Sequence, residues 1–184
     1  MSKKVVIHQP DFLPHLGFFH RFLQVDLWIV LDSVQFVHKT SRSWNNRDKI
    51  KTPSGEKWIT VAVKKCPLNT AINEVRLTEE TPWRQVSLSL IAEQYKGAEY
   101  FDEIYPYVEE LYGFKCEKMV DFNMRSIDML MKLFDIDVKR IFSSELNPEG
   151  KKNELLVDLL KKTDGSVYLS GPGARDYFEQ KPFD

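Results

Sequence analysis

The sequence predicts a three-layer α/β domain with a mainly parallel central sheet and one antiparallel hairpin. Three stretches carry that expectation. Residues 4–7 form a short apolar run, followed by a proline-punctuated loop, an aromatic helical stretch and a second apolar run at residues 27–31; strand, helix, strand is the opening grammar of a parallel sheet. Pro53, Ser54 and Gly55 separate two stretches of strand-like alternation, as a hairpin requires. Near the end, residues 167–169 run into SGPG and the helical ARDYF, which repeats the strand, turn, helix order of the start.

Taken in order, residues 4–7 read as a buried strand, residues 14–24 as a helix rich in phenylalanine, and residues 27–31 as the second strand. His8 and Asp32 then fall at carboxyl ends of neighbouring strands, where open α/β sheets bind ligands. Residues 48–51 and 57–63 pair as the hairpin, and residues 73–77 form another short strand. Thr81 offers an N-cap with Pro82 at the first helical position, and Trp83, Val86, Leu90 and Ile91 follow at helical spacing. Residues 98–112 and 121–134 read as two further helices, the second burying Met124, Ile127, Leu130, Met131 and Phe134. A strand at residues 138–142 and a helix through Leu155, Leu156, Leu159 and Leu160 complete the series. Tyr95, Tyr100, Tyr105, Tyr107 and Tyr112 read as helical packing residues, with a binding stripe as the alternative.

With 184 residues, the chain is long enough to bury about 70% of its unfolded surface in one domain, residues 1–184, without a metal or disulfide staple. Hydrophobic residues are 42% and charged residues 29%, with 8 Gly and 9 Pro, which excludes a collagenous, disordered or low-complexity chain. No apolar run approaches the length of about 18 residues that a membrane span needs, so no membrane insertion is expected. The opening MSKKVVIHQP lacks the apolar stretch of a secretory signal, and cytoplasmic residence is expected. Cys66 and Cys116 belong to no CxxC pair and read as inert thiols.

The formal net charge of −1 conceals a basic segment. Residues 39–65 hold eight Lys or Arg against Asp48 and Glu56 alone. Such a patch inside a near-neutral chain suits a small phosphate compound better than a long polyanion, and no RNA-binding signature accompanies it, so nucleic acid is disfavoured.

Four histidines, His8, His15, His20 and His38, fall in the first 38 positions. His15 and His20 are five apart, which misses the i,i+4 ligand spacing, and no metal or cofactor is assigned. His8 is the candidate acid or base, with Asp32 to orient it or act beside it; a strand-end histidine holding the loop and an aspartate capping a turn are the structural alternatives. Gln9 and Pro10 belong to the same segment, in which Asp11 is accounted for by the turn beside Pro10. In HKTSRSWNNRDKIKTPSGEKWITVAV, Arg42, Arg47 and Lys49 offer cations for a phosphate or carboxylate, Trp44 an aromatic face, and Asn45 and Asn46 amides for sugar hydroxyls. A solvated hairpin with Trp44 folded inward is the alternative. Ser170, Gly171 and Gly173 lie in a turn whose N–H groups can form an anion nest, although neither a dinucleotide fingerprint nor a phosphate-binding P-loop is complete there.

The blocks IHQPDFLPHLGFFHRF, DLWIVLDSVQF, SRSWNNRDKIKTPSGEKWITVAV and YLSGPGARDYF, in that order, resemble the WbqC-like protein family. The resemblance implies an enzyme of lipopolysaccharide or other surface-polysaccharide synthesis, a glycosyl- or acyl-type transferase acting on an activated sugar or other phosphate-containing donor. A non-catalytic carbohydrate- or nucleotide-binding module is the alternative. By the same resemblance, His8, Gln9 and Pro10 match the opening motif and Asp32 the second strand end. Arg42, Trp44, Arg47 and Lys49 match the basic aromatic block, and Ser170, Gly171, Gly173 and Asp176 the glycine block. Family members continue further beyond SGPG than this chain does, which implies truncation or divergence there. The His8 loop and the basic segment are expected to face one cleft, with SGPG as a third wall. Oligomeric state is left open.

Overall fold

The structure is a computed structural model describing residues 2–37, 43–171 and 183. The chain forms two compact units: Met1–Gln9, His15–Ser33 and Met131–Asp184 in the first, Pro10–Pro14 and Val34–Leu130 in the second.

The first unit holds a four-stranded parallel sheet. Its strands are β1 (Lys4–His8), β2 (Leu27–Val30), β5 (Lys139–Phe142) and β6 (Val167–Tyr168), in the order β5-β2-β1-β6. Register pairs Val5 with Leu27, Val6 with Trp28 and Ile7 with Ile29, so alternate residues face opposite sides. Val6 and Trp28 meet helix α1 (Leu16–Phe22), whose Phe18 and Phe22 rings lie 5.7 and 4.7 Å from the Trp28 ring. On the other face, Val5, Ile7, Leu27 and Ile29 pack against Leu159 and Leu160 of α6 (Asn153–Lys162). Helix, sheet, helix are the expected three layers, and the fully apolar β2 reflects burial on both faces. The first helix is shorter than the 14–24 expected because His15 takes the N-cap, its Nδ1 accepting from Gly17 N at 3.0 Å.

The second unit contains the hairpin β3 (Arg47–Thr52) and β4 (Gly55–Thr60), which pair antiparallel. Gly55, at φ 112°, closes the turn in a conformation that other residues rarely adopt. Helices α2 (Trp83–Tyr95), α3 (Phe101–Gly113) and most of α4 (Met119–Leu133) complete it. Phe122 of α4 gathers Phe12, Trp83 and Tyr112 at ring distances of 5.2–6.0 Å. Arg84 donates from Nη1 to the carbonyls of Tyr112 and Phe114, fastening α2 to the end of α3.

Three expectations for this part of the chain are corrected. Residues 73–77 form no strand: a 3-10 turn at Ile72–Glu74 leads into single bridges, Val63 with Leu77 and Arg76 with Lys118, whose changing partners stop a ladder from propagating. Pro82, not Thr81, occupies the N-cap of α2, without a side-chain cap bond. Helix α3 starts at Phe101, after a turn through Gly97. Within the first unit, Phe134 is largely exposed and edges onto Phe19 at 5.3 Å.

Candidate functional site

The carboxyl edge of the parallel sheet is built around His8. Its backbone is pinned on the strand, the carbonyl accepting from Leu31 N at 2.9 Å and from Trp28 Nε1 at 3.3 Å. The ring stands edge-on to Phe18 at 5.0 Å, and Nδ1 donates to the Gln9 carbonyl at 2.9 Å. That bond puts the proton of the neutral ring on Nδ1 and makes Nε2 the basic nitrogen. Burial, then the Arg21 guanidinium and more weakly His15, push the imidazole down from 6.5 to about 4, against the opposing pull of the Gln9 carbonyl. His8 is therefore neutral at physiological pH.

Arg21, on the last turn of α1, also approaches the strand end on the far side of β1. A Cβ at Gly171 would lie 2.9 Å from Arg21 Nη1, which places the guanidinium against the segment that follows β6. Ser170 precedes it, its hydroxyl donating to the Gly171 carbonyl at 3.4 Å. From β1 the chain passes through α1 to β2 on one side, while β6 lies on the other. Strand order reverses between β1 and β6, the place where open α/β sheets leave a crevice for ligands.

Asp32 lies two residues beyond the neighbouring β2 and is occupied differently from the expected histidine partner. Its carboxylate is buried and accepts from Ser143 Oγ and Ser144 N, each at 2.9 Å, and from Ser144 Oγ at 2.7 Å. The Ser143 hydroxyl oxygen in turn accepts from Asp32 N and Ser33 N, each at 3.1 Å. This is a reciprocal clamp between the end of β2 and the start of the short helix α5 (Ser143–Leu146). It satisfies a buried carboxylate completely enough to explain Asp32 as a residue that fixes the site's floor.

In the second unit, Arg47, Lys49 and Trp58 share the outward face of the hairpin, Lys49 pairing in register with Trp58. The Arg47 guanidinium lies 4.2 Å and the Lys49 ammonium 5.2 Å from the Trp58 ring. Trp44 stacks obliquely on Trp58 at 5.5 Å, and the two rings remain 38% and 39% exposed, so Trp44 is not folded into the core. Lys49 also pairs with Glu56. Asn45 and Asn46, expected to face a ligand, are buried. Asn45 donates to the Asp11 carboxylate at 2.7 Å, and Asn46 Nδ2 to the Val61 carbonyl at 3.1 Å. These amides hold the platform's backbone. Arg42, Gly173, His38 and Asp176 lie outside the described residues.

Among the described residues, no three His, Cys, Asp or Glu side chains gather as a metal-binding group. His15 is spent on its cap, and His20 Nδ1 meets Gln24 Nε2 at 3.2 Å. Nor is any helix there long and apolar enough to cross a membrane.

The sequence profile of the WbqC-like protein family matches residues 9–184, through both units. The chain belongs to the WbqC-like protein family. Among the relatives of this WbqC-like protein is the uncharacterized protein Rv1507c of Mycobacterium tuberculosis, 30% identical over 184 residues, which cover 99% of this chain and 78% of that protein. No solved structure matches the chain.

Two residues of the candidate sites escaped the sequence reading. Arg21 stands inside the opening block, but its importance depends on Gly171, far along the chain. Trp58 alternates outward in a predicted strand, a visible signal, whereas its stacking on Trp44 and Arg47 follows from pairing register.

Proposed function

We propose that this WbqC-like protein is a transferase of bacterial surface-polysaccharide synthesis that uses an activated, phosphate-containing donor. The observation that carries the reading is the gathering of His8, Arg21, Ser170 and Gly171 where the strand order of the parallel sheet reverses. Arg21 and the backbone at Ser170 and Gly171 receive the donor phosphate, and Gln9 lies at the lip of the same strand end. His8 Nε2 takes the proton of the attacking acceptor as the phosphate-bearing group departs. Asp32 keeps the adjacent strand end in place through the serine clamp. In the second unit, the hairpin face of Trp44, Trp58, Arg47 and Lys49 is by itself suited to recognition, with aromatic rings for a sugar or base face and cations for an anionic substituent.

A product-resolved screen of nucleotide sugars and acyl donors against sugar acceptors tests the reading. Turnover that falls at least a hundredfold in a folded His8→Gln protein, with donor affinity retained, supports it. The exposed Trp44–Trp58 pair favours a second reading, a non-catalytic carbohydrate- or nucleotide-binding module. If the His8→Gln protein keeps both ligand affinity and full pathway activity, that module is the better description.

A further inference from the structure

We propose that the second unit carries a site for a single unbranched alkyl chain with a neutral or cationic head, in a cavity outside all the residues assigned above. The cavity, about 370 Å³, opens between α2, α3 and the inward face of the hairpin, where Ile50 and Ile59 point away from the Arg47 and Trp58 face. Its size falls in the range of small-molecule sites.

Three features select the occupant. The lining is nearly all carbon, and two of its three tyrosines engage their hydroxyls elsewhere: Tyr95 Oη accepts from Lys51 N at 3.1 Å, and Tyr105 Oη donates to the Leu88 carbonyl at 3.4 Å. A sugar or nucleotide would lose its hydration there and find no replacement bonds. Next is depth. Leu111 and Ile59 at the floor are 1% and 3% exposed, whereas Tyr100 at the rim is 62% exposed. A slender chain reaches such a floor, and the broad surface of another protein does not. Last is charge, since Glu99 is the one charged side chain lining the cavity among the described residues. Asp102 and Glu103 follow in the first turn of α3, against Lys96 at the end of α2. This rim disfavours a carboxylate head and accepts an alcohol or a quaternary ammonium.

Calorimetric titration of the full chain with straight-chain alcohols of about six to about ten carbons should show affinity rising about fourfold per methylene until the cavity is full. Decanoate should bind at least threefold more weakly than decanol at neutral pH and low salt, and decyltrimethylammonium at least as well as decanol. Ile104→Trp at the rim should abolish the chain-length dependence. Glu99→Lys, which leaves the cavity volume alone, should reverse the order of decanoate and decyltrimethylammonium. Affinity independent of chain length, a head-group order unchanged by Glu99→Lys, or a concentration-dependent dimer in sedimentation that excludes decanol would overturn the proposal. None of these readouts involves turnover, so they stand apart from the fate of the transferase reading.

Discussion

Replacing His8 by Gln should flatten the acid limb of the protein's stability curve. In the folded chain, burial and Arg21 hold the imidazole down from 6.5 to about 4. Between those values the unfolded chain binds a proton that the folded chain refuses, so stability rises with pH. The contribution is fully present above 6.5 and is lost as pH falls toward 4. A single group with these two constants contributes about 2 kcal/mol that is present near pH 7 and gone near pH 5. Urea unfolding of both proteins at those two pH values isolates the effect, because every carboxylate and the other histidines titrate in both. Glutamine also loses the edge contact with Phe18, which offsets its curve by an amount independent of pH; only the difference in slope carries the argument. Parallel curves for the two proteins would mean that the folded ring protonates as readily as the unfolded one, and the account of a dry, cation-flanked His8 would be wrong.

Asp32→Ala should cost about 3 kcal/mol, since three hydrogen bonds to a buried carboxylate are lost and the hydroxyls of Ser143 and Ser144 lose their acceptors; a change in urea midpoint worth under about 1 kcal/mol would show the clamp to be incidental. Arg47→Ala should weaken binding of a nucleotide sugar by about tenfold while leaving the neutral sugar within a factor of about two, and salt should narrow that gap; equal losses for both ligands in a fluorescence titration would return the hairpin face to solvent. Inorganic pyrophosphate should raise the His8 pKa by neutralising part of the Arg21 field. An unshifted His8 Cε1–H titration in NMR at saturating pyrophosphate would separate the anion site from His8.

Strands β1 and β2 are legible in the sequence because each is a short apolar run bounded by charged or polar residues and buried on both faces. The hairpin is legible because Gly55 marks its turn and alternation survives on both sides. Residues 73–77 mislead for the opposite reason: Val75 and Leu77 alternate because both are buried, but their bridging partners come from different segments, which local pattern cannot reveal. Asn45 and Asn46 mislead through chemistry. An amide beside arginines suggests a sugar contact, and only the fold shows that Asp11 and the Val61 carbonyl have already claimed the donors. Asp32 divides the two cases, since its place at a strand end follows from sequence, whereas the serines that saturate it lie more than a hundred residues later. The same separation hides Arg21, whose neighbour Gly171 follows the last strand of the sheet.

In the proposed transferase, a base whose conjugate acid is as strong as that of His8 would be a poor catalyst unless its suppressors were relieved. Burial is fixed by Phe18 and the strand, but the Arg21 field is not, because an anion bound against the guanidinium would cancel much of it. Without donor, protonating His8 creates a second cation beside Arg21 in a dry setting and is strongly opposed. In the proposed transferase, a bound phosphate would give the imidazolium an opposite charge nearby, so that the ring would become basic enough to accept a proton as the acceptor attacks. Proton binding and anion binding must then favour each other to the same degree.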